Sequence, residues 1–310
     1  MKKTIEIIVP CYNEAEVLPI FFQTVCNISE KIDKYEFSFL FIDDGSIDNT
    51  LEIIKQFQSN KKTQVRYISL ARNFGKEAAM LAGFDHAIGD AVIIIDADLQ
   101  DPPSIIPDMI KLWECGYEDV YARRMSRAGE SRLKKLSSYM YYRVLEKLSD
   151  IEVLTDVGDF RLLDKKCIAA LKGLREHHRY TKGLFCWIGF KKKQILYNRE
   201  SRVAGNTHWN YWKLIKLAIN GIVSFSAVPL QLAMWIGMFI SLAAFCFMLY
   251  VVGRTLLYGD PVAGYPSMMA IILFIGGIQL IAFGVIGEYI GKIFDEVKNR
   301  PVYIVNEQNC

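Results

Sequence analysis

Ala91-Val-Ile-Ile-Ile-Asp-Ala-Asp-Leu-Gln-Asp-Pro-Pro103 runs from an unbroken apolar stretch straight into a cluster of carboxylates. The β-branched half reads as a buried strand, and the acidic half as the loop at its carboxyl end. Three similar stretches precede it. Ile5-Glu-Ile-Ile-Val9 is ended by Pro10, Phe37-Ser-Phe-Leu-Phe-Ile42 by Asp43-Asp44-Gly45, and Val65-Arg-Tyr-Ile-Ser-Leu70 by Ala71-Arg72-Asn73. Helical patterns fill the intervals, at about 14–32, 49–58 and 76–88, and a fifth strand is expected at Asp119-Val-Tyr-Ala122. Mostly apolar strands alternating with helices predict an α/β domain, doubly wound on a parallel sheet covered on both faces. Such domains bind ligands at the carboxyl ends of their strands.

The polar residues gather at those ends. They are Pro10-Cys-Tyr12-Asn-Glu14, Asp43-Asp44-Gly-Ser46, Ala71-Arg-Asn-Phe-Gly-Lys-Glu77 and the Asp96-to-Pro103 block. Any one could be an ordinary turn or helix cap; four on one sheet edge indicate a site. Asp96 and Asp98, two residues apart after a strand, can share one hard divalent cation, Mg²⁺ or Mn²⁺, and leave positions open for phosphate oxygens. Gln100 adds a neutral oxygen. Such a site would neutralise a diphosphate leaving group. Asp43 and Asp44 have no cationic neighbour in sequence and suit a base N–H or ribose hydroxyls. There is no G-x-G-x-x-G and no G-x-x-x-x-G-K-[ST], which disfavours dinucleotide and Walker-type cradles.

The charge distribution divides the chain. Its 310 residues carry 37 Lys+Arg against 34 Asp+Glu, a net +3, too weak a bias for a nucleic-acid binder working by bulk charge. Between Pro229 and Gly291 only Arg254, Asp260 and Glu288 are charged. Two apolar runs there, at about 230–252 and 268–287, are of spanning length and read as a transmembrane hairpin. Lys213, Lys216, Lys292, Lys298 and Arg300 flank its outer ends, so both termini and the soluble domain are expected in the cytoplasm, at the inner membrane. The expected division is 1–207 catalytic, 208–228 an interfacial helix, 229–291 the hairpin and 292–310 a cytoplasmic tail. No apolar segment precedes Glu6, so no cleavable signal peptide is expected. The 7 scattered cysteines form no C-x-x-C pair, which argues against zinc and disulfides.

Together these motifs resemble glycosyltransferase family 2, in the branch of bacterial polyisoprenyl-phosphate glycosyltransferases related to dolichyl-phosphate mannose synthase. The likeness continues through Gly158-Asp-Phe-Arg161, Tyr180-Thr-Lys-Gly183, Arg202-Val-Ala-Gly205 and Gly287-Glu-Tyr-Ile-Gly291. It implies a GT-A fold and inverting transfer of a hexose, glucose first, from a UDP-sugar to a polyisoprenyl phosphate such as undecaprenyl phosphate. It would give Asp96, Asp98 and Gln100 the metal and diphosphate, and Pro10, Tyr12, Glu14 and Asp44 the nucleoside. It offers Asp159 as the candidate base and implies a homo-oligomer, a tetramer in the nearest branch. One position departs from the pattern. Relatives commonly read Arg-x-x-Gly-x-[Ser/Thr]-Lys in a loop expected to close on the diphosphate; here Arg202 is kept and His208 stands at the lysine position.

A lipid monophosphate acceptor needs cations near the membrane. Arg123 and Arg124 follow the fifth strand, with Arg127 and Arg132 soon after. Leu133, Leu136, Met140, Val144 and Leu148 then form a helical stripe beside Lys134, Lys135 and Arg143, suited to an anionic bilayer surface or to packing on the domain. Trp209 and Trp212 suit the interface ahead of the first span. His86, His177 and His178 read as structural or exposed, and Lys191-Lys-Lys193 as a solvated strand start. Two rivals are weaker. A processive polysaccharide synthase would carry a Q-x-x-R-W block and more membrane helices, and a silent nucleotide-sugar-binding scaffold would not need the intact acidic constellation.

Overall fold

The computed structural model describes residues 2–59, 63–125, 157–198, 228–258 and 264–310. They fall into two units, one holding the described residues up to 198 together with 301–310, the other holding 228–258 and 264–300.

The first unit is an eight-stranded sheet in the order β7-β5-β6-β4-β1-β2-β3-β8. Its strands are β1 (Thr4–Cys11), β2 (Glu36–Asp43), β3 (Gln64–Leu70), β4 (Ala91–Ile94), β5 (Asp119–Arg124), β6 (Val157–Asp164), β7 (Lys192–Tyr197) and β8 (Val305–Gln308). Helices α1 (Leu18–Ser29), α2 (Thr50–Phe57), α3 (Lys76–His86) and α4 (Ile106–Glu114) connect the first five strands. Helices α5 (Lys165–Gly173) and α6 (Thr181–Trp187) follow β6. Both faces of β1 are buried, because Ile5, Ile7 and Val9 join Phe21, Phe39, Ile54 and Met109 in one core layer while Ile8 lies with Gly83 of α3 on the other side. That two-sided burial is why the strands read as continuous apolar runs.

The sheet is mixed where a parallel one was expected. β1 to β4 run parallel, but β6 is antiparallel to both β4 and β5, and β8 is antiparallel to β3. β6 thereby delivers Asp159 to the edge where β4 delivers Asp96. β8 comes from the segment expected as a tail. The side chain of Asn309 ties it down, accepting from the Tyr67 N–H (2.6 Å) and donating to the Val65 carbonyl (3.4 Å). Lys55 pairs with Glu307 at 2.7 Å.

The second unit consists of two helices in contact, α7 (Val228–Tyr258) and α8 (Tyr265–Val297), both longer than the expected spans. Among the described residues only the stretch Phe274–Val297 is long and apolar enough to cross a membrane; Leu232–Phe247 in α7 is a shorter apolar stretch. A multi-pass arrangement therefore does not follow from these helices by length and composition. Residues 208–227 of the expected interfacial helix and the expected helical stripe at 133–148 lie outside the described residues.

Candidate active site

The first three strand ends form one interlocked rim. Asn13, in the left-handed region at φ 56°, donates its N–H to Ser46 Oγ (3.0 Å) and accepts from the Ile47 N–H (2.9 Å). Asparagine tolerates that conformation better than most residues. The Glu14 N–H donates to Thr50 Oγ1 (2.8 Å), so the loops after β1 and β2 hold each other. Tyr12 is left 44% exposed on this rim, with Pro10 and Glu14 half-buried beside it.

Asp43 and Asp44 do different work from that expected of them. Asp43 is 1% exposed and accepts from the Ser46 N–H (3.0 Å) and the Ser69 hydroxyl (2.8 Å), so it braces β2 to β3. Asp44, 3% exposed, accepts from the Phe74 N–H (2.7 Å) and the Gly75 N–H (2.9 Å). Burial pushes its carboxyl up, against the pull of those two donors. Gly45 between this loop and Ser46 is obligatory. Its φ is +66°, and a Cβ there would lie 2.4 Å from the Arg72 carbonyl carbon. The loops after β2 and β3 therefore touch backbone to backbone.

Asp96 and Asp98 follow β4 as expected. The turn between them and Gln100 is fixed by Leu99, which is buried although its φ is +55°, and by the Gln100 N–H donating to Asp98 Oδ1 (3.1 Å). A non-glycine residue at positive φ is strained and persists only where its surroundings hold it. Asp101, three residues beyond Asp98, is buried beneath the loop. It accepts from the Tyr197 hydroxyl and pairs with Arg124 Nη2 at 3.6 Å, while Arg124 Nε donates to Tyr197 Oη (3.0 Å). Burial raises the Asp101 carboxyl, opposed by Tyr197 and Arg124.

The central feature is a lysine. Lys76, the first residue of α3, places its ammonium 2.6 Å from Asp96 Oδ1, 2.7 Å from Asp96 Oδ2 and 2.6 Å from Asp159 Oδ2. Burial alone would lower Lys76 and raise Asp159. The opposing charges win, so Lys76 titrates well above an ordinary lysine and Asp159, with Lys182 also acting on it, well below an ordinary carboxylate. Glu77 is fixed next door, accepting the Thr181 N–H at 3.0 Å and the Thr181 hydroxyl, which joins the start of α3 to the start of α6. In the sequence Lys76 lies inside the motif Ala71-Arg-Asn-Phe-Gly-Lys-Glu77 with no role of its own. The available signal was a cation at a strand-end loop facing acidic loops.

The arginines expected to hold an acceptor phosphate separate. They are adjacent on β5, so their side chains leave opposite faces of the sheet. Arg123 reaches Gln194 Oε1 of β7 (3.1 Å), whereas Arg124 is committed to Asp101 and Tyr197, a structural role in place of the expected one. Arg127, Arg202 and His208 lie outside the described residues.

Among the described residues no three His, Cys, Asp or Glu side chains form a ready metal cage. The donor set still fits a magnesium-type ion, which takes one or two carboxylates and completes its shell with substrate phosphate and water. Asp96 and Asp98 are hard oxygen donors on one short loop, and both Asp96 oxygens already face a cation, the Lys76 ammonium.

Residues 6–171 match the family model described as glycosyl transferase family 2, and residues 228–293 match the GtrB C-terminal hairpin. An uncharacterized glycosyltransferase of Synechocystis is 43% identical, over 98% of this chain and 95% of its own length. The SfII prophage-derived bactoprenol glucosyl transferase of Shigella flexneri is 43% identical, over 98% of each chain. The solved structure of Mycobacterium tuberculosis glucosyl-3-phosphoglycerate synthase in complex with Mg²⁺ and UDP is 17% identical, with a TM-score of 0.44 over 71% of this chain and 77% of that one.

Proposed function

The chain belongs to glycosyltransferase family 2, and from that premise we propose that it transfers glucose from UDP-glucose to a polyisoprenyl phosphate such as undecaprenyl phosphate. The observation that carries this reading is the end-to-end likeness to a bactoprenol glucosyl transferase, 43% identity across 98% of the chain, including the hairpin. Membrane association is expected from the same hairpin. In our reading α7 and α8 both cross the inner membrane, leave the catalytic unit in the cytoplasm, and the enzyme works as a homo-oligomer. The glucosylated lipid would then supply a cell-surface glycan such as an O-antigen.

Donor and acceptor are handled by different residues. Tyr12, Pro10 and Glu14 offer the nucleoside a half-open rim, which Asp44 and Gly45 hold in shape from behind. Asp96 and Asp98, with Gln100, would hold Mg²⁺ or Mn²⁺, whose role is to neutralise charge building on the departing diphosphate. Arg202 and His208 are the proposed cations of the loop over that diphosphate. Arg123 and Arg127 are left as the phosphate ligands for the acceptor.

Asp159 is suited to alignment. A phosphate monoester has a second pKa near ~6 and is largely a dianion at neutral pH, already nucleophilic. A carboxylate held ionised by Lys76 has little affinity for a proton, which makes it a poor base and a good fixed charge. Purified protein in detergent, given undecaprenyl phosphate and a panel of UDP- and GDP-sugars, tests the reading. UDP-glucose should be consumed fastest with formation of a lipid product. Preference for a GDP-sugar, or consumption without a lipid product, would refute it.

A further inference from the structure

We infer that Lys76 is the resident cation of the nucleotide-free site, a positioning residue that holds Asp96 and Asp159 together and has to give up Asp96 before a divalent ion can bind there. The inference rests on the proposal that Asp96 is a metal ligand. Its ammonium stands within 2.7 Å of both Asp96 oxygens and 2.6 Å from Asp159 Oδ2, so it takes the acceptor positions an incoming cation would use. Mg²⁺ sits ~2.0–2.1 Å from its oxygen ligands, which leaves no space for an ammonium on the same carboxylate face. Repulsion between the two cations works in the same direction.

Three features let the lysine move without disturbing what surrounds it. Its backbone is anchored, since the Ala78 and Ala79 N–H groups bond to the Gly75 carbonyl and Glu77 is held by Thr181. Its four-carbon stem is the flexible part. Asp159 Oδ1 is buried and accepts no hydrogen bond among the described residues, so the ammonium can shift towards that carboxylate as it leaves Asp96. The site thus has two charge states. Without nucleotide, Lys76 is shared by Asp96 and Asp159 and offsets one of their two charges. With the donor, the diphosphate brings negative charge, the divalent ion takes Asp96, and Lys76 stays with Asp159 and keeps it aligned. Metal binding is accordingly linked to nucleotide binding, and the free enzyme resists loading with metal alone.

The test is Mn²⁺ binding followed by electron paramagnetic resonance on the full chain in detergent, with and without UDP. Without UDP, Lys76→Met should bind Mn²⁺ about 10-fold or more tightly than wild type, within the range by which residues beside metal ligands tune affinity. With UDP present the gap should close to within ~3-fold, while transfer activity of the variant falls. Lys76→Gln, which keeps most of the reach and loses the charge, should behave like Lys76→Met and covers the case in which methionine impairs folding. Lys76→Arg, which keeps the charge, should bind Mn²⁺ as weakly as wild type. Equal or weaker binding by the uncharged variants without UDP would overturn the inference and leave the metal site standing. Absence of Mn²⁺ binding by wild type even with UDP would overturn both.

Discussion

Substituting Gly45 by alanine should damage the donor site far more than its conformation alone accounts for. The left-handed backbone at φ +66° costs an L-residue about 1–2 kcal/mol. The added Cβ would then lie 2.4 Å from the Arg72 carbonyl carbon, 2.7 Å from its Cα and 2.7 Å from the Asn73 nitrogen, all backbone atoms that no rotamer change can move aside. The loops must part, and the bonds from Phe74 N–H and Gly75 N–H to Asp44 are the contacts that parting would break. A hydrogen bond to a charged acceptor is worth ~1.5–3 kcal/mol, so loss of even one brings the total to about 2.5–5 kcal/mol. Gly116 is the control. It also has positive φ, +88°, but a Cβ there meets nothing within 4 Å. Gly116→Ala should cost only the conformational ~1–2 kcal/mol. Urea unfolding of the two variants and wild type in detergent, paired with UDP titration, measures the difference. Equal destabilisation of both variants, or wild-type UDP affinity in Gly45→Ala, would refute the claim that this close approach shapes the nucleotide rim.

Tyr197→Phe removes the hydroxyl donated to buried Asp101 and should cost about 1–3 kcal/mol in urea unfolding, with the Asp101 carboxyl moving further up; an unchanged midpoint would deny the brace under the Asp96–Gln100 loop. Arg123→Ala should raise the apparent KM for lipid phosphate ~10-fold with little change for UDP-glucose, whereas Arg124→Ala should lower stability and kcat through Asp101; steady-state kinetics with each substrate varied would separate them, and identical effects would not support the division. Asp159→Asn should lower turnover without moving the acidic limb of the pH–rate profile. The sign follows from Lys76. Its charge holds the folded carboxyl below the ordinary range, so Asp159 is ionised across neutral pH and its favourable pairing is lost only as pH falls through that depressed value. Disappearance of an acidic limb near neutrality in this variant would identify Asp159 as a true base.

What the sequence made legible follows from periodicity and loop chemistry. Four apolar runs with polar tips were enough to place β1 to β4 and to bring Tyr12, Asp44 and Asp96 to one edge, because side-chain polarity switches where a buried parallel strand emerges. The antiparallel insertion of β6 was not legible, since strand order and direction are set by pairing partners far away in the chain. β8 was missed for a different reason. Val305-Asn-Glu-Gln308 is polar at three of its four positions, as an edge strand can be, and its anchoring includes a side chain outside it, Asn309, reaching backbone groups of β3. The bracing role of Asp43 was not legible because burial is invisible at a single position, and the bond to Ser69 exists only once β2 and β3 pair. The parting of Arg123 and Arg124 was not legible because the expected strand stopped at Ala122; only its extension to Arg124 puts the two side chains on opposite faces. Lys76 shows the limit of reading motifs one at a time. Its importance lies in meeting Asp96 and Asp159, which come from two other strand ends.

The central claim is transfer of an intact glucosyl group to a lipid monophosphate, and the chemical nature of the product tests it most directly. Purified protein incubated with UDP-glucose labelled in the sugar and in the β-phosphate, undecaprenyl phosphate and Mg²⁺ should yield a lipid that carries the sugar label but not the phosphate label. Mass spectrometry should show one phosphate between lipid and hexose, and Asp96→Asn should abolish the product. A lipid product carrying both labels would mean sugar-phosphate transfer and would contradict the account, as would labelled sugar that never enters the lipid fraction.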